Sequence, residues 1–425
     1  MAEGRPNGLS LRRLIVTGLL ATLYTGAAWL ARCRPRSATP AVRSGCILVL
    51  GTFHNPNWVR SHVVPLARSG VGDVLVVCDE PVEPLDNVFF ECPPRWLQRV
   101  LTRAAAKLAW SFVLAVRRRP DLFMGYHIFP CALMALILGR VFVRPSCYQM
   151  TAGQLEVEGG GWHAENRLLR ALDQPSALVE RRAAAVIREF DSVVVRGSGA
   201  AAYVRKLGYT RHLEVITGSV TPLRDSFVFA LRPIDIAFVG RLTEYKRPDR
   251  FVSAIAAIAA ERPGLRAVLI GDGPLRGELS DQVRRLGLEA NVEFLGQRAD
   301  IEALLARTKV FMLTSRWEGV SIAMLEAMAA GAVPVVANVG DLGDRLESGR
   351  TGYLVAPDDI AGYARAAARL LADAGTWGDC SRRAARFAVE TSGTDAIAAR
   401  WRAHLASVLA QNPDTQIANA SGPIR

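Results

Sequence analysis

Short apolar segments alternate with helix-like segments along most of this chain. Residues 46–50 form the first apolar segment, which ends at Gly51 and is followed by a helical pattern and a second apolar segment at 74–78. Strand, helix and strand in this order are typical of a βαβ unit, and successive units build a parallel sheet covered by helices on both faces. The sequence therefore predicts an α/β protein with a doubly wound parallel sheet.

A second series of such segments begins at 234–239, and glycine and proline residues separate it from the first series at 217–233. Because the chain has 425 residues, each series can form a domain with its own core. We therefore expect two Rossmann-like domains facing a cleft. The predicted divisions are a basic and apolar segment at 1–45, the two domains at 46–222 and 223–393, a closing helix at 394–410 and a polar tail at 411–425.

The positive charge of the chain is concentrated in two stretches. The formal net charge is +12; residues 1–50 hold seven arginines and one acid, and residues 95–119 hold seven basic residues and no acid. The rest of the chain is therefore nearly neutral. A nucleic-acid-binding protein usually combines a basic face with base-reading or stacking residues, and the sequence shows no such motif. The pattern favours an anionic membrane surface as the partner of both stretches, and not nucleic acid.

The first basic stretch encloses an apolar segment at 14–31. Its 18 uncharged residues have arginines on both sides and would span roughly 27 Å as a helix. We expect a membrane anchor here; a cleaved signal peptide or a helix lying in the membrane interface has the same pattern. The seven cysteines are scattered without CxxC spacing, which fits neither a disulfide framework nor a zinc site. We therefore expect the globular part on the cytoplasmic face of the membrane.

The second basic stretch, 95–119, is predicted to form one helix. Basic residues repeat every four positions along it, and they alternate with apolar residues that include two tryptophans. Such a helix is typical of a membrane surface, although a domain helix with a solvated basic face has the same composition. The predicted basic stripe consists of Arg95, Arg99, Arg103 and Lys107.

Two glutamates follow the strand predicted at 310–314. Glu318 falls in the loop after this strand and Glu326 one to two turns into the next helix, at the carboxyl edge of the sheet, where α/β domains bind ligands. A carboxylate only accepts hydrogen bonds, so each glutamate suits a pair of sugar hydroxyls. Between them, the backbone N–H groups of a helix N-terminus can receive phosphate oxygens. These N–H groups belong to Gly319, Val320, Ser321 and Ile322.

Two cations follow the strand predicted at 234–239. Arg241 and Lys246 lie beyond Gly240, and together they can neutralise a departing diphosphate in place of a metal ion. Gly271 and Gly273 form a tight turn after the next strand, where backbone can approach a ligand closely. The chain has no DxD triplet and no metal-ligand spacing of histidine with carboxylates, so no metal site is predicted.

Together these motifs resemble those of the retaining GT-B glycosyltransferases of family 4. The resemblance covers residues 46–410 in outline, and its specific motifs lie in the second domain. The matching segments are Gly240-Arg241-Leu242 with Lys246, Gly271-Asp272-Gly273-Pro274, Phe294-Leu295-Gly296, the segment from Glu318 through Glu326 to Val336, and Thr351-Gly352-Tyr353-Leu354-Val355.

This resemblance implies a GT-B fold and transfer of a sugar from a nucleotide diphosphate donor to an acceptor, with retention and without a metal or other cofactor. By similarity, Arg241 and Lys246 bind the diphosphate, Glu318 binds the donor sugar and Glu326 binds the ribose in a nucleotide-sugar-binding second domain. The first domain is then the acceptor side, where His127 resembles the family's histidine near the reacting sugar. The two basic stretches favour a lipid-linked acceptor or an envelope glycan.

In two places the sequence departs from the family pattern. Many relatives have Glu-Gly-Phe-Gly-x-Pro, whereas this chain has Val320, Ser321 and Ala323. The His-Gly pair often found after the central strand of the first domain is Ala152-Gly153 here.

Two other functions remain open on the sequence alone. Gly197-Ser198-Gly199 follows a predicted strand and matches a loose dinucleotide fingerprint, but the acid expected at the end of the next strand is absent, which disfavours an oxidoreductase. A catalytically silent GT-B scaffold in a membrane polysaccharide-assembly complex would have the same fold. A scaffold would have no need of the two cations and two glutamates of the second domain.

Overall fold

The computed structural model describes residues 11–34, 45–53, 56–80, 84–163, 166–221 and 228–409 and divides the chain into two units. Unit 1 comprises Met1–Ile216 and Ala398–Arg425, and unit 2 comprises Thr217–Ile397. The domain boundary predicted at 222 and the polar tail predicted at 411–425 lie outside the described residues.

Within the described residues, unit 1 contains a seven-stranded parallel sheet in the order β3-β2-β1-β4-β5-β6-β7. Every residue of β1 and β4 is buried, as expected for central strands with helices on both faces. The strands are β1 (Cys46–Leu50), β2 (Asp73–Val77), β3 (Val88–Glu91), β4 (Leu122–Tyr126), β5 (Ser146–Gln149), β6 (Ser192–Val195) and β7 (His212–Val215).

The α-helices of unit 1 connect and cover these strands. They are α1 (Leu11–Cys33), α2 (Pro56–Ala67), α3 (Arg95–Val100), α4 (Arg103–Arg118), α5 (Leu133–Phe142), α6 (Arg167–Arg170), α7 (Ala177–Ile187) and α8 (Ser198–Lys206).

The single helix predicted at 95–119 is wrong, because the chain breaks into α3 and α4. Thr102 has an extended backbone and caps α4, where its hydroxyl accepts a hydrogen bond from the Ala105 N–H at 3.3 Å. The backbone of Leu101 is also extended, so α3 ends before it and a new helix begins after Thr102. Lys107 is also misplaced in the predicted basic stripe: it is only 2 % exposed, and its ammonium donates to the Gly51 carbonyl and to Asp79.

Helix α1 is long and apolar enough to cross a membrane, and one of its faces packs against unit 1. Val16, Leu20 and Tyr24 lie along this buried face in the same core as residues of α5 and α7. Both ends are also tied to unit 1, since Arg13 donates to Gln174 at 2.9 Å and Arg32 forms an ion pair with Glu189 at 2.9 Å. The opposite face exposes Trp29 and five leucine and isoleucine side chains. The five are Leu11, Leu14, Ile15, Leu19 and Leu23.

Within the described residues, unit 2 contains a six-stranded parallel sheet in the order β10-β9-β8-β11-β12-β13. Its strands are β8 (Ile234–Val239), β9 (Ala267–Ile270), β10 (Val292–Gly296), β11 (Thr308–Leu313), β12 (Val333–Ala337) and β13 (Tyr353–Val355). Its α-helices are α9 (Pro248–Glu261), α10 (Arg276–Arg285), α11 (Ile301–Ala306), α12 (Ile322–Ala329), α13 (Ile360–Ala372) and α14 (Ala374–Ser392), and α15 (Thr394–Leu409) continues from unit 2 into unit 1.

The two sheets share one strand order, in which the first strand of each unit lies beside the fourth. This reversal falls between β1 and β4 in unit 1 and between β8 and β11 in unit 2. In open parallel sheets, ligands bind outside the carboxyl ends of the strands at such a reversal. The prediction of two Rossmann-like domains is confirmed, and the strand order indicates one candidate site edge in each unit.

Candidate active site

The carboxyl edge of unit 2 brings the loops after β8 and β11 together. The ammonium of Lys246, in the first loop, donates to Oε1 of Glu318, in the second, at 2.6 Å. The hydroxyl of Ser315 donates to the same oxygen at 2.5 Å. A backbone hydrogen bond of 2.7 Å from Arg316 to the Tyr245 carbonyl also joins the loops. Two residues singled out by the sequence, Lys246 and Glu318, are therefore in direct contact.

Close backbone contacts extend this edge to the neighbouring strands. Gly271, after β9, has a φ of +133°, and a Cβ there would collide with the Gly240 carbonyl oxygen. Gly340, after β12, has a φ of +55°, and a Cβ there would collide with the carbonyl oxygen of Glu318. Glycine is required at both positions because it adopts positive φ and has no side chain. Gly273 likewise lies against the backbone of Leu242.

Arg241 lies next to Gly240 at the same edge, and its side chain is exposed. Partial desolvation by the surrounding protein lowers the pKa of its guanidinium. The guanidinium is still charged at neutral pH after this decrease, because the ordinary pKa of arginine is far above 7. The edge therefore presents a second cation in addition to Lys246.

Helix α12 starts beside Glu318, and Ser321 is its N-cap, with a hydroxyl that accepts from the Met324 N–H at 3.3 Å. Gly319 and Val320 lie in the loop before the helix, and Val320 is buried in the core of unit 2. Ile322 is the first helical residue. The N-terminus of α12 and its partial positive charge thus lie at the site, as the sequence predicts.

Glu326 lies one turn into α12 and is partly buried. Burial, and to a lesser extent the negative charge of Glu302, raise the pKa of its carboxyl to about 7. Among the residues that the structure describes, none forms a hydrogen bond or an ion pair with this carboxylate. A partly buried acid with a raised pKa and no partner among the described residues is typical of a ligand-binding position.

The carboxyl edge of unit 1 presents His127, directly after β4. Its imidazole is 43 % exposed, and its Nδ1 atom lies 3.1 Å from Oε1 of Glu156. The backbone of His127 has φ 59° and ψ 140°, which is unfavourable for any residue with a side chain. Such local strain persists only where the surrounding structure enforces it, and it is most frequent at functional sites.

Glu156 is a residue that the sequence analysis missed. Its side chain is only 3 % exposed, and both oxygens are surrounded by hydrogen-bond donors. Burial alone would raise the pKa of this carboxyl, but the charge of His127 and the donated hydrogen bonds lower it to about 2. Glu156 is therefore a fixed anion that orients His127. The donors are the backbone N–H groups of Ile128, Thr151 and Ala152, the hydroxyls of Tyr148 and Thr151, and His127.

Ala152, which stands where many relatives have histidine, donates its N–H to Glu156 at 2.7 Å. The only sequence signal for Glu156 is an acid within a glycine-rich loop that follows a buried strand. Across the described ranges, no group of three or more histidine, cysteine, aspartate and glutamate side chains is arranged to hold a metal ion.

Residues 233–373 match the family model of the glycosyl transferases group 1. This stretch contains both loops of the unit 2 edge and Glu326. Unit 2 is a group 1 glycosyltransferase domain. The resemblance predicted from its motifs is therefore confirmed.

Curated relatives of this glycosyltransferase domain differ in their acceptors. The chain is 33 % identical to the glycogen synthase of Mycobacterium tuberculosis over 143 residues, which are 33 % of this chain and 34 % of that protein. It is 32 % identical to the UDP-Gal:alpha-D-GlcNAc-diphosphoundecaprenol alpha-1,3-galactosyltransferase of Escherichia coli over 153 residues, which are 35 % of this chain and 38 % of that protein. The chain thus spans about a third of the length of these two relatives.

The similarity of fold extends beyond the glycosyltransferase domain. The structure superposes on that of HepE from Anabaena in complex with UDP-glucose with a TM-score of 0.68 and 20 % identity, over 85 % of this chain and 99 % of that one. This similarity confirms the predicted GT-B fold for both units.

Proposed function

We propose that the protein transfers a sugar from a nucleotide diphosphate donor to a lipid-linked or envelope-glycan acceptor, with retention and without a metal ion. The observation that carries this proposal is the grouping of Arg241, Lys246, Glu318 and Glu326 at the carboxyl edge of the glycosyltransferase domain. The names of the M. tuberculosis and E. coli relatives support sugar transfer.

The two cations suit the diphosphate of the donor. When the glycosidic bond to the diphosphate breaks, negative charge develops on the leaving phosphate, and fixed cations stabilise it. Lys246 lies 2.6 Å from Glu318, so its ammonium is held at the edge before a donor binds. Arg241 adds a second positive charge, and the Glu318 carboxylate balances one of the two, so that a net positive charge remains for the diphosphate.

The two glutamates suit hydroxyl groups at opposite ends of that diphosphate. Glu318 is fixed by Lys246 and Ser315, and we assign the transferred sugar to it. Glu326 has a carboxylate without a partner among the described residues, and we assign the ribose hydroxyls to it. Each ionised carboxylate can accept hydrogen bonds from two neighbouring hydroxyls.

Retention follows if the acceptor hydroxyl attacks from the face that the diphosphate leaves. The departing phosphate oxygen then takes the proton of the acceptor hydroxyl, while the new glycosidic bond forms and the old one breaks. We assign His127 to the acceptor side, where Glu156 fixes its imidazole. NMR of the product formed from a donor of known anomeric configuration tests this stereochemistry.

A membrane surface fits the exposed side chains of unit 1. Helix α1 packs one apolar face on the protein and exposes another, which is the arrangement of a helix that lies in the membrane interface. Trp96 and Val100 of α3 and Phe112 of α4 are exposed near Arg95, Arg99 and Arg103. These features support contact with a membrane surface, and the proposal places the protein at the cytoplasmic face with a lipid-linked acceptor.

The test is a thermal-shift screen of the full-length protein in detergent against UDP-, GDP- and ADP-sugars, with EDTA in every sample. Binding of a nucleotide sugar stabilises the native state, so its Tm rises with ligand concentration. The stabilising donor is then assayed for release of its nucleoside diphosphate in the presence of membrane lipid extract. The proposal fails if no nucleotide sugar raises the Tm, and its metal-free form fails if EDTA abolishes turnover.

A further inference from the structure

A buried arginine lies at the carboxyl edge of unit 1. Arg196 directly follows β6, and its side chain is 6 % exposed. Among the residues that the structure describes, none accepts a hydrogen bond from its guanidinium or forms an ion pair with it. Burial is the main cause that lowers its pKa, to about 10, so it remains a cation at neutral pH.

Two further buried polar groups lie near Arg196. Within the described part of the chain, the hydroxyl of Tyr126, the last residue of β4, has no hydrogen-bond partner, and neither has Nε2 of His62 in α2. Arg196 follows β6 and Tyr126 ends β4, so both lie at the carboxyl edge of the same parallel sheet. The charge of Arg196 also acts on the pKa of both Tyr126 and His62. The rings of His62 and Tyr126 are 6.4 Å apart.

The state of His62 follows from its other nitrogen. Nδ1 lies 2.9 Å from the Trp58 carbonyl oxygen, which can only accept, so Nδ1 carries the proton. Burial, helped by the charge of Arg196, lowers the pKa of His62 well below its usual value, so the ring is neutral. Its Nε2 is therefore an unused acceptor, whereas Tyr126 and Arg196 are unused donors.

Three buried polar groups that have no partner among the described residues are unfavourable for the fold alone. A buried polar group or charge without a partner destabilises the native state, and most such groups in proteins are paired. Glu156, the nearby anion that acts on the pKa of Arg196, already accepts hydrogen bonds from His127, Tyr148 and the backbone. Arg196 is thus positioned for a group that the described residues do not supply.

The geometry points to a phosphate-binding site in unit 1, in which Arg196 and Tyr126 bind a phosphate group of the acceptor near His127. The assignment of this phosphate to the acceptor rests on the proposed function. The site itself is inferred from unit 1 alone. The guanidinium has five N–H donors and the phenol has one O–H, and phosphate oxygens accept from several directions. Helix α8 starts two residues after Arg196, so its positive end adds to the same field. Nε2 of His62 can accept the O–H of a neighbouring acceptor hydroxyl.

The experiment measures pyrophosphate binding to the full-length protein in an R241A/K246A background, which removes the cations proposed to bind the donor diphosphate in unit 2. We expect pyrophosphate to raise the Tm of this variant. Adding R196M should weaken pyrophosphate binding by about tenfold or more, since a charge-assisted hydrogen bond is lost. Adding Y126F should weaken it by a smaller factor.

A matched control distinguishes a binding arginine from a structural one. Arg140 is also buried in unit 1, but it is ion-paired with Asp191 and donates to the Glu189 carbonyl. R140M should therefore lower the Tm of the free protein, whereas R196M should leave it unchanged or raise it. If R196M lowers the Tm as much as R140M does, or if pyrophosphate binds R196M normally, the inference is overturned.

Farnesyl diphosphate in detergent distinguishes the two sources of the phosphate. Tighter Arg196-dependent binding of this probe than of pyrophosphate identifies a lipid-linked phosphate, and equal binding identifies a phosphate outside the lipid. The nucleotide-sugar screen of the wild-type protein is independent of Arg196. A failure of the proposed function would therefore appear as a missing donor response, whereas a failure of this inference would appear as unaltered pyrophosphate binding to R196M.

Discussion

The ammonium of Lys246 lies 2.6 Å from the carboxylate of Glu318, although 72 positions separate the two residues in the chain. The contact exists because β8 and β11 are neighbours in the sheet and their loops leave the same edge. Each side chain therefore holds the other in place, and a change at either one should affect both the diphosphate and the sugar ends of a donor site.

Replacing Lys246 by alanine should lower turnover by about a hundredfold or more, because a cation that stabilises the leaving diphosphate is lost. The matched control is Lys309, which forms a 2.7 Å ion pair with Asp235 at the opposite, amino end of the same two strands. K309A should lower the Tm but leave kcat within a few-fold of wild type. Equal loss of kcat in both variants would show that the effect of K246A is structural.

Affinity for the nucleotide sugar should depend on the ionisation of Glu326. Its carboxyl has a pKa of about 7 in the free protein, and ribose hydroxyls bind the ionised form. Affinity should therefore be about tenfold weaker at pH 6 than at pH 8, because most of the carboxyl is protonated at the lower pH. Isothermal titration calorimetry at pH 6 and pH 8 measures this affinity. E326Q has no ionisable group at this position and should bind the nucleotide sugar weakly and equally at both pH values. A wild-type affinity that does not change with pH would place the ribose elsewhere.

Acid should destabilise unit 1 through Glu156. The pKa of this carboxyl is lowered to about 2 in the folded protein, so it contributes stability above its unfolded value of 4.5, and that contribution decreases as the pH falls towards 2. Between pH 6 and pH 3 the loss should be about 2 kcal/mol in the free energy of unfolding. Denaturant unfolding of wild type and E156Q at both pH values checks this, and the acid loss should be smaller in E156Q. The same loss in both proteins would assign the acid sensitivity to other carboxyls.

The backbone strain at His127 can be separated from its chemistry. The backbone at His127 has φ 59° and ψ 140°. An alanine at this position would retain the strain, whereas a glycine would relieve it. H127G should therefore be about 1 kcal/mol more stable than H127A, while both lose the imidazole and with it most of the turnover. Thermal unfolding and turnover are measured on the same preparations. Equal stability of the two variants would show that the backbone at position 127 relaxes once the imidazole is removed.

Membrane binding should depend on the exposed face of α1. The I15S/W29S double variant should lower partition to vesicles of phosphatidylglycerol and phosphatidylcholine by about tenfold or more, because two exposed apolar side chains are lost. Leu20, on the buried face of the same helix, provides the control. L20A should lower the Tm and leave partition unchanged. Normal partition of I15S/W29S would indicate that α1 does not contact lipid.

The sequence predicts the two sheets well because buried parallel strands are continuous apolar runs that end at turn residues. Prediction from sequence is least reliable where the burial of a residue on one element depends on an element that is distant in the chain. The break at Thr102 has a local signal, the threonine N-cap, but the burial of Lys107 depends on Gly51 and Asp79, which follow β1 and β2.

The same limit explains the residues of unit 1 that the sequence analysis missed. Glu156 and Arg196 belong to different loops, and only the order of the strands brings both loops to the edge where His127 lies. In unit 2 the motifs lie within single loops, so their residues could be predicted from spacing. The fingerprint Gly197-Ser198-Gly199 marks the start of α8, next to Arg196.

The path of α15 has a consequence for synthesis on the ribosome. The helix enters unit 1 at Ala398, where the hydroxyl of Ser192 and His404 form a 2.6 Å hydrogen bond and Arg402 donates to the Ser69 carbonyl. All of unit 2 is therefore translated before the last helix of unit 1 emerges. The first unit to begin translation is the last to be completed, and a nascent chain that stops before residue 398 lacks contacts on which unit 1 depends.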